Sequence, residues 1–330
     1  MDSTLAPIVL FTYNRPRHTK ATLEALKGNL LAKQSHLYIY QDAPKQNAPQ
    51  EQKDSALEVT KLLQEVIASN ENGIYFKTIT LIQRERNFGL ADSIIDGVTS
   101  IINKHGTIIV LEDDIVVSPV FLDYMNTALK VYANEKKVWS IAGWGYPIDT
   151  QGLGDCYFWR VPHCWGWASW GDRWQYFKRD MSLNFKNSFS KSDIAYINLD
   201  SVADYFSHFT LNHKGKIKTW AIFNYLIAYK HNALTLCPSL SYIKQIGFDG
   251  SGVHCGDNGN ILNASKINTK FPILFPDTIV ESTLALQRIR DFELTHKTTI
   301  TKRIAHKIQK ISTIMQKSLS VIAHRGGGSI

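Results

Sequence analysis

Ile108-Ile109-Val110-Leu111-Glu112-Asp113-Asp114 is the stretch from which the rest of the chain can be read. Four aliphatic residues in succession read as a strand buried on both faces, as in a parallel sheet. Three carboxylates follow with no spacer. Crowded carboxylates are costly to bury unless a positive group compensates them. At the carboxyl end of a parallel strand that group is commonly a ligand or a metal. Hard divalent cations such as Mn²⁺ and Mg²⁺ favour carboxylate oxygens and bridge to substrate phosphates. The stretch therefore predicts a metal-assisted site for a phosphate-bearing substrate. The plain alternative is a strand followed by an acidic surface turn.

Outward from it, strands are predicted over 7–12, 37–40, 78–82 and 107–111, with helices over 18–31, 54–69 and 91–103 between them. In the first helix Leu23, Leu26 and Leu30 recur at helical spacing. A polar loop with two prolines covers 44–52. This alternation means βαβ units and a parallel sheet. Right-handed crossovers then bring the ligand loops to the strands' carboxyl ends.

Those ends are polar. They read Thr12-Tyr13-Asn14-Arg15-Pro16, Gln41-Asp42 and Glu112-Asp113-Asp114, while Arg84-Glu85-Arg86-Asn87-Phe88-Gly89-Leu90 opens the third helix. Together they line one crevice with hydrogen-bonding groups, arginines for phosphate and an acidic cluster. Neither GxGxxG nor GxxxxGK[ST] follows the first strand, which argues against a dinucleotide-binding Rossmann domain and a P-loop NTPase.

At 330 residues, with 44% hydrophobic and 20% charged, the chain suits one large α/β domain with additions, or two domains. It has no run of eighteen apolar residues, hence no predicted membrane span. Met1-Asp2-Ser3-Thr4 does not open a signal peptide, so the cytoplasm is the default location. Cys156, Cys164, Cys237 and Cys255 form no CxxC pair and read as free thiols, with Cys156 and Cys164 the one plausible close pair. Of the net charge of +8, seven positive residues and no acids lie in 296–330, leaving +1 for the body. The body thus gives no basic surface for nucleic acid.

Beyond Pro119 the alternation fades, with a helix over 120–133 and a strand over 138–142. Seven of the eight tryptophans then fall between 139 and 174. They read either as an aromatic core under irregular loops or as a platform for a sugar-like face, Trp144, Trp165 and Trp167 being the acceptor-binding candidates. An amphipathic helix is predicted over 220–231. Residues 247–256 hold four glycines together with Asp249 and His254, which marks a lid, with His254 as a metal or phosphate contact.

Three segments carry a family likeness: Pro7-Ile8-Val9-Leu10-Phe11-Thr12-Tyr13-Asn14-Arg15, Arg86-Asn87-Phe88-Gly89-Leu90 and Val110-Leu111-Glu112-Asp113-Asp114. Asp123-Tyr124 and Cys164-Trp165-Gly166-Trp167 also fit. From about residue 7 to about 255 the chain resembles the GT-A glycosyltransferases similar to N-acetylglucosaminyltransferase I and its bacterial relatives. The resemblance implies an α/β, Rossmann-like mixed sheet flanked by helices, with an irregular aromatic-rich acceptor half. It implies a nucleotide-sugar donor, uridine diphosphate-linked, and Mn²⁺ or Mg²⁺. By position, Asp114 binds the metal, Glu112 and Asp113 contact the ribose and base side, Asp42 reads the uracil, Arg15 lies near the nucleotide and His254 approaches the donor. Thr12, Asn14, Arg86, Asn87 and Gly89 complete the donor-binding set.

One position departs from the family. Where its catalytic aspartate follows a tryptophan, this chain has Thr219-Trp220-Ala221-Ile222. An inverting transfer needs a carboxylate near the acceptor hydroxyl. Asp249 and Asp172 are the candidates, Asp249 preferred.

The division expected is a nucleotide-sugar half over 1–135, an acceptor half over 136–295 and a tail over 296–330. In the tail Ile300, Ile304, Ile308, Ile311, Met315, Leu319 and Ile322 share one helical face, with Lys302, Arg303, Lys307, Lys310 and Lys317 elsewhere. Such a basic amphipathic helix fits an anionic membrane surface, placing the protein peripherally on the inner face of the cell membrane with a lipid-linked glycan as acceptor. Packing against the body or a second copy is the alternative. The rival functions are a carbohydrate-binding protein using the tryptophans and a nucleotidyltransferase making sugar nucleotides.

Overall fold

The computed structural model describes residues 5–250, 259–263 and 266–295. Its first half is a parallel quartet: β1 (Ile8–Thr12), β2 (His36–Gln41), β3 (Thr78–Gln83) and β4 (Thr107–Glu112), in the order β3-β2-β1-β4. Between them run α1 (Pro16–Lys27), α2 (Gln50–Ala68) and α3 (Leu90–His105). Successive strand residues face opposite sides. Ile8 and Leu10 therefore pack with Leu23, Leu26, Val59 and Leu63 of α1 and α2. Val9 and Phe11 pack with Ile94, Val98 and Ile102 of α3. Burial on both faces is why β1 and β4 read as unbroken apolar runs.

After β4 the chain turns sharply into β5 (Ile115–Val117), then α4 (Phe121–Val131) and β6 (Val138–Ala142). β7 (Cys156–Trp159), β8 (Trp167–Trp170), β9 (Leu234–Pro238) and β10 (Ile243–Gln245) follow. β8 lies antiparallel against β4, so one eight-stranded mixed sheet, β3-β2-β1-β4-β8-β6-β9-β7, runs through both halves. The expected boundary at 135 falls between α4 and β6, within that sheet. β10 pairs with β5 in a separate antiparallel ribbon. No helix among the described residues is long and apolar enough to cross a membrane. The tail over 296–330 lies outside the described residues.

Two expectations are corrected. The helix Ala221–Lys230 is not amphipathic: every residue from 222 to 228 is buried, because it fills the interior rather than covering a face. Six of the seven clustered tryptophans belong to the core. Trp167 is 1% exposed and stacks on Trp220 at 5.3 Å, and Trp144 is 2% exposed. Neither offers a face to an acceptor. Large rings here fill the space under short strands and irregular turns. Only Trp165 is half-buried. Cys156 and Cys237 are buried free thiols, Cys164 is half-buried, and Cys255 lies outside the described residues.

A half-buried histidine lies against the aromatic core. His163 stacks on Trp159 at 5.0 Å and meets Trp144 edge-on at 4.7 Å, and its buried Nε2 has no hydrogen-bond partner. Burial pushes its pKa down to about 3. The unfolded chain therefore binds this proton first, and stability present above about pH 6.5 is lost as the pH falls toward the folded value. Between pH 7 and pH 5, His163→Phe should lose roughly 1–2 kcal/mol less stability than the wild type. Urea unfolding at the two pH values measures this, and equal losses would refute it.

Candidate functional site

The four parallel strands end in register. Thr12 pairs with Gln41, Gln41 with Gln83, and Phe11 with Glu112, so their polar continuations meet along one edge. The acidic turn is pinned from two sides. Thr22 Oγ1 of α1 donates to the Asp113 carbonyl at 2.8 Å, and the Ile246 N–H donates to the Asp114 carbonyl at 2.9 Å. The β5–β10 pairing thereby draws residues 246–250 across the carboxylates. At Gly247 a Cβ would fall inside the Asp114 carboxylate and 3.0 Å from Arg15 Nη1. Any larger side chain there would have to displace the Asp114 carboxylate or the segment itself.

Arg15 stands at the start of α1 and pairs with both Asp113 and Asp114, the second at 2.8 Å. The aspartates' side chains are 6% and 5% exposed. Burial disfavours the charged guanidinium, but Asp113 and Asp114 outweigh it and hold Arg15 above its usual pKa. Burial also raises the Asp113 pKa, against the pull of Arg15. Glu112 is pushed up to about 8 by burial, then by the charges of Asp114 and Asp113. One guanidinium thus faces three acids.

The acids also leave a vacancy in hydrogen bonding: Asp114 Oδ1 is buried with no partner. A carboxylate oxygen in a region of excess negative charge is the donor a hard divalent cation prefers. No three His, Cys, Asp or Glu side chains among the described residues converge as a complete ligand set. Mg²⁺ is usually held by one or two carboxylates plus substrate phosphates, so the residues present fit such an ion.

Asp42 reaches the crevice, but not free to read a base. Its Oδ1 accepts from the N–H groups of Ala43 at 3.0 Å and Phe88 at 2.8 Å. Its Oδ2 accepts from Asn87 Nδ2 at 3.0 Å and the Gly89 N–H at 2.8 Å. Those bonds fill a carboxylate's acceptor capacity. They dock the turn that starts α3, where Gly89 takes φ 74°, a left-handed angle that favours glycine. The docked turn sets Arg84 against the rings of Tyr40 and Phe88, at 4.8 and 4.3 Å. Asp42→Ala should cost about 2–4 kcal/mol by leaving these donors unsatisfied. Chemical unfolding measures it; an unchanged midpoint and slope would show that the turn is held by something else.

The other expected residues separate. Thr12 is buried at the end of β1, Asn14 is half-buried beside Arg15, and Arg86 is exposed, 5.5 Å from the Phe88 ring. Asp249 comes to the site: its Oδ2 lies 3.1 Å from Nε2 of His18 on α1. Phe248 beside it meets the edge of Trp165 at 5.6 Å. Asp172 does not come. It follows β8, whose Trp170 pairs with Thr107 at the far end of β4, and it is tied to Lys136 and Arg173. That placement removes it as a base. Ala221 begins its helix directly after Trp220. His254 lies outside the described residues.

His18 and the β5–β10 ribbon went unread in the sequence, and Gly247 was read only as one glycine of a lid. His18 follows Arg15 by one helical turn, a spacing that puts both on one side of α1. Two cavities adjoin the strand ends. One of about 230 Å³ lies between Asp42, Gln83 and Arg84 and Ala56 and Thr60 of α2. The other, about 670 Å³, runs along α3 from Asn87 and Phe88 past Asp96 and Thr99, with Lys218 opposite.

Residues 2–153, somewhat under half of the chain, match the GNT-I family. No curated protein matches the chain in sequence. Among solved structures, S. aureus TarS is similar at 10% identity and a TM-score of 0.28, over 39% of this chain and 20% of TarS. The chain thus spans about a fifth of that protein's length. The mannosyltransferase PcManGT from Pyrobaculum calidifontis, solved with GDP-Man and Mn²⁺, is similar at 10% identity and a TM-score of 0.36, over 69% of this chain and 70% of its own. A UDP-glucose pyrophosphorylase solved with UDP-glucose is similar at 12% identity and a TM-score of 0.38, over 72% and 91%.

Proposed function

We propose that this chain, a glycosyltransferase of GT-A type similar over residues 2–153 to the GNT-I family, moves a sugar from a uridine diphosphate-linked donor to a glycan hydroxyl with the help of Mn²⁺ or Mg²⁺. The observation that carries the reading is the acidic turn at the carboxyl end of β4, with a buried, unpartnered Asp114 Oδ1 beside Arg15.

Asp114 would hold the metal, which when bound offsets charge building on the departing diphosphate. Arg15 presents a planar fork suited to phosphate oxygens. Thr12, Asn14, Glu112 and Asp113 line the nucleoside side, and Arg86, Asn87 and Gly89 form the opposite wall. Asp42 acts through that wall, holding Asn87 and Gly89 in place. With alanine at 221, the base is Asp249, which accepts the acceptor's proton while His18 orients its carboxylate. Trp165, edge-on to Phe248, supplies the aromatic contact on the acceptor side. A lipid-linked glycan reached through the basic tail at an anionic membrane surface is the acceptor class this reading favours, and His254 is its remaining donor contact.

Calorimetry tests the reading with UDP and GDP, each with Mn²⁺ and with excess chelator. UDP should bind with Mn²⁺ and release its heat no longer once the metal is chelated. Tighter binding of GDP would overturn the uridine assignment. Chelator-insensitive binding, or none, would overturn the metal–nucleotide reading altogether.

A further inference from the structure

The Arg15 guanidinium sits where positive charge is most needed and where a metal would also have to act. It bridges Asp113 and Asp114, with its side chain 17% exposed. It takes up Asp114 Oδ2 and leaves Oδ1 bare. Residues 246–250 close over the same spot, with Gly247 against both Asp114 and Arg15.

A divalent cation arriving alone at Asp114 would meet this guanidinium as a like charge at short range, where burial weakens screening. A cation arriving with a diphosphate would not. The phosphate oxygens supply acceptors that match a guanidinium at least as well as carboxylates do. We propose that Arg15 is the resident counter-ion of the Asp113–Asp114 pair, opposes metal binding while no nucleotide is present, and passes to the diphosphate when metal and nucleotide bind together. Metal and donor are thereby coupled through one side chain. By linkage, whatever Arg15 takes from the affinity for metal alone is returned as mutual reinforcement between metal and nucleotide.

This inference rests on the donor reading above, and the experiment separates the two. Mn²⁺ binding without nucleotide is measured from the loss of the free-ion paramagnetic resonance signal in wild type and Arg15→Gln. UDP affinity is then measured at saturating Mn²⁺. Arg15→Gln should bind Mn²⁺ alone about tenfold tighter and UDP about tenfold more weakly. A variant that binds Mn²⁺ alone no tighter than wild type overturns the inference, while normal Mn²⁺-dependent UDP binding by the wild type would leave the donor reading standing. If wild type shows no Mn²⁺-dependent UDP binding, both fall. The wild type gives a second reading should the variant fail to fold. The Arg15 side-chain Nε–H resonance, assigned by its loss in Arg15→Lys, should shift on joint addition of Mg²⁺ and UDP. A resonance that stays in place overturns the transfer.

Discussion

Asp114→Ala should abolish Mn²⁺-dependent UDP binding and lower sugar transfer by about three orders of magnitude, the several kcal/mol a metal contributes to leaving-group charge. The fold should survive. The turn crowds Glu112, Asp113 and Asp114 around one guanidinium, and Arg15 keeps Asp113 after the change. Deleting Asp114 removes its repulsion of Glu112 and Asp113 together with its ion pair to Arg15, and the two changes oppose each other. Loss of binding with unchanged or higher melting temperature separates a ligand-holding carboxylate from a structural one. A variant that melts well below wild type and still binds UDP with Mn²⁺ would reverse the assignment. Binding and transfer are read on the same preparation.

Gly247→Ala should be nearly as damaging for a different reason. The added methyl has no free volume: the Asp114 carboxylate occupies it, with Arg15 just behind. Either the segment after β10 moves away or the carboxylate is displaced. Overpacking of this kind costs about 1–3 kcal/mol, and moving a catalytic group by about 1 Å costs about a hundredfold in rate. The expected result is weakened UDP binding together with a lower unfolding midpoint. Unchanged values for both would mean that this segment does not close over the acids.

The parallel quartet was readable because three of its strands, β1, β2 and β4, are buried on both faces and its helices carry apolar stripes. Ile108 to Leu111 form an unbroken apolar run, and Leu23 and Leu26 of α1 recur at helical spacing. The acidic turn was legible for the same reason: polar residues end a strand abruptly only where the chain leaves the sheet. What followed was not legible. β7 and β8 have four residues each, all buried, so no alternation marks them as strands. Because β8 runs antiparallel to β4, its last residue lies at the opposite end of the sheet from Glu112. Asp172 follows the tryptophan cluster in sequence yet ends far from the crevice for that reason alone. Asp42 was placed at the crevice, but which groups fill its lone pairs depends on the fold of residues 87–89. Gly247 stood out only as one glycine among four, since what it touches comes from a turn more than a hundred residues earlier.

A nucleoside diphosphate and its metal should lie over the turn between β4 and β5. Anomalous diffraction from crystals grown with Mn²⁺ and UDP tests it most directly. The predicted result is a manganese peak in coordination with Asp114, bridged to the diphosphate, with Arg15 turned from Asp113 toward the phosphate oxygens. A nucleotide seated instead in the cavity along α3, or manganese bound away from Asp114, would contradict it.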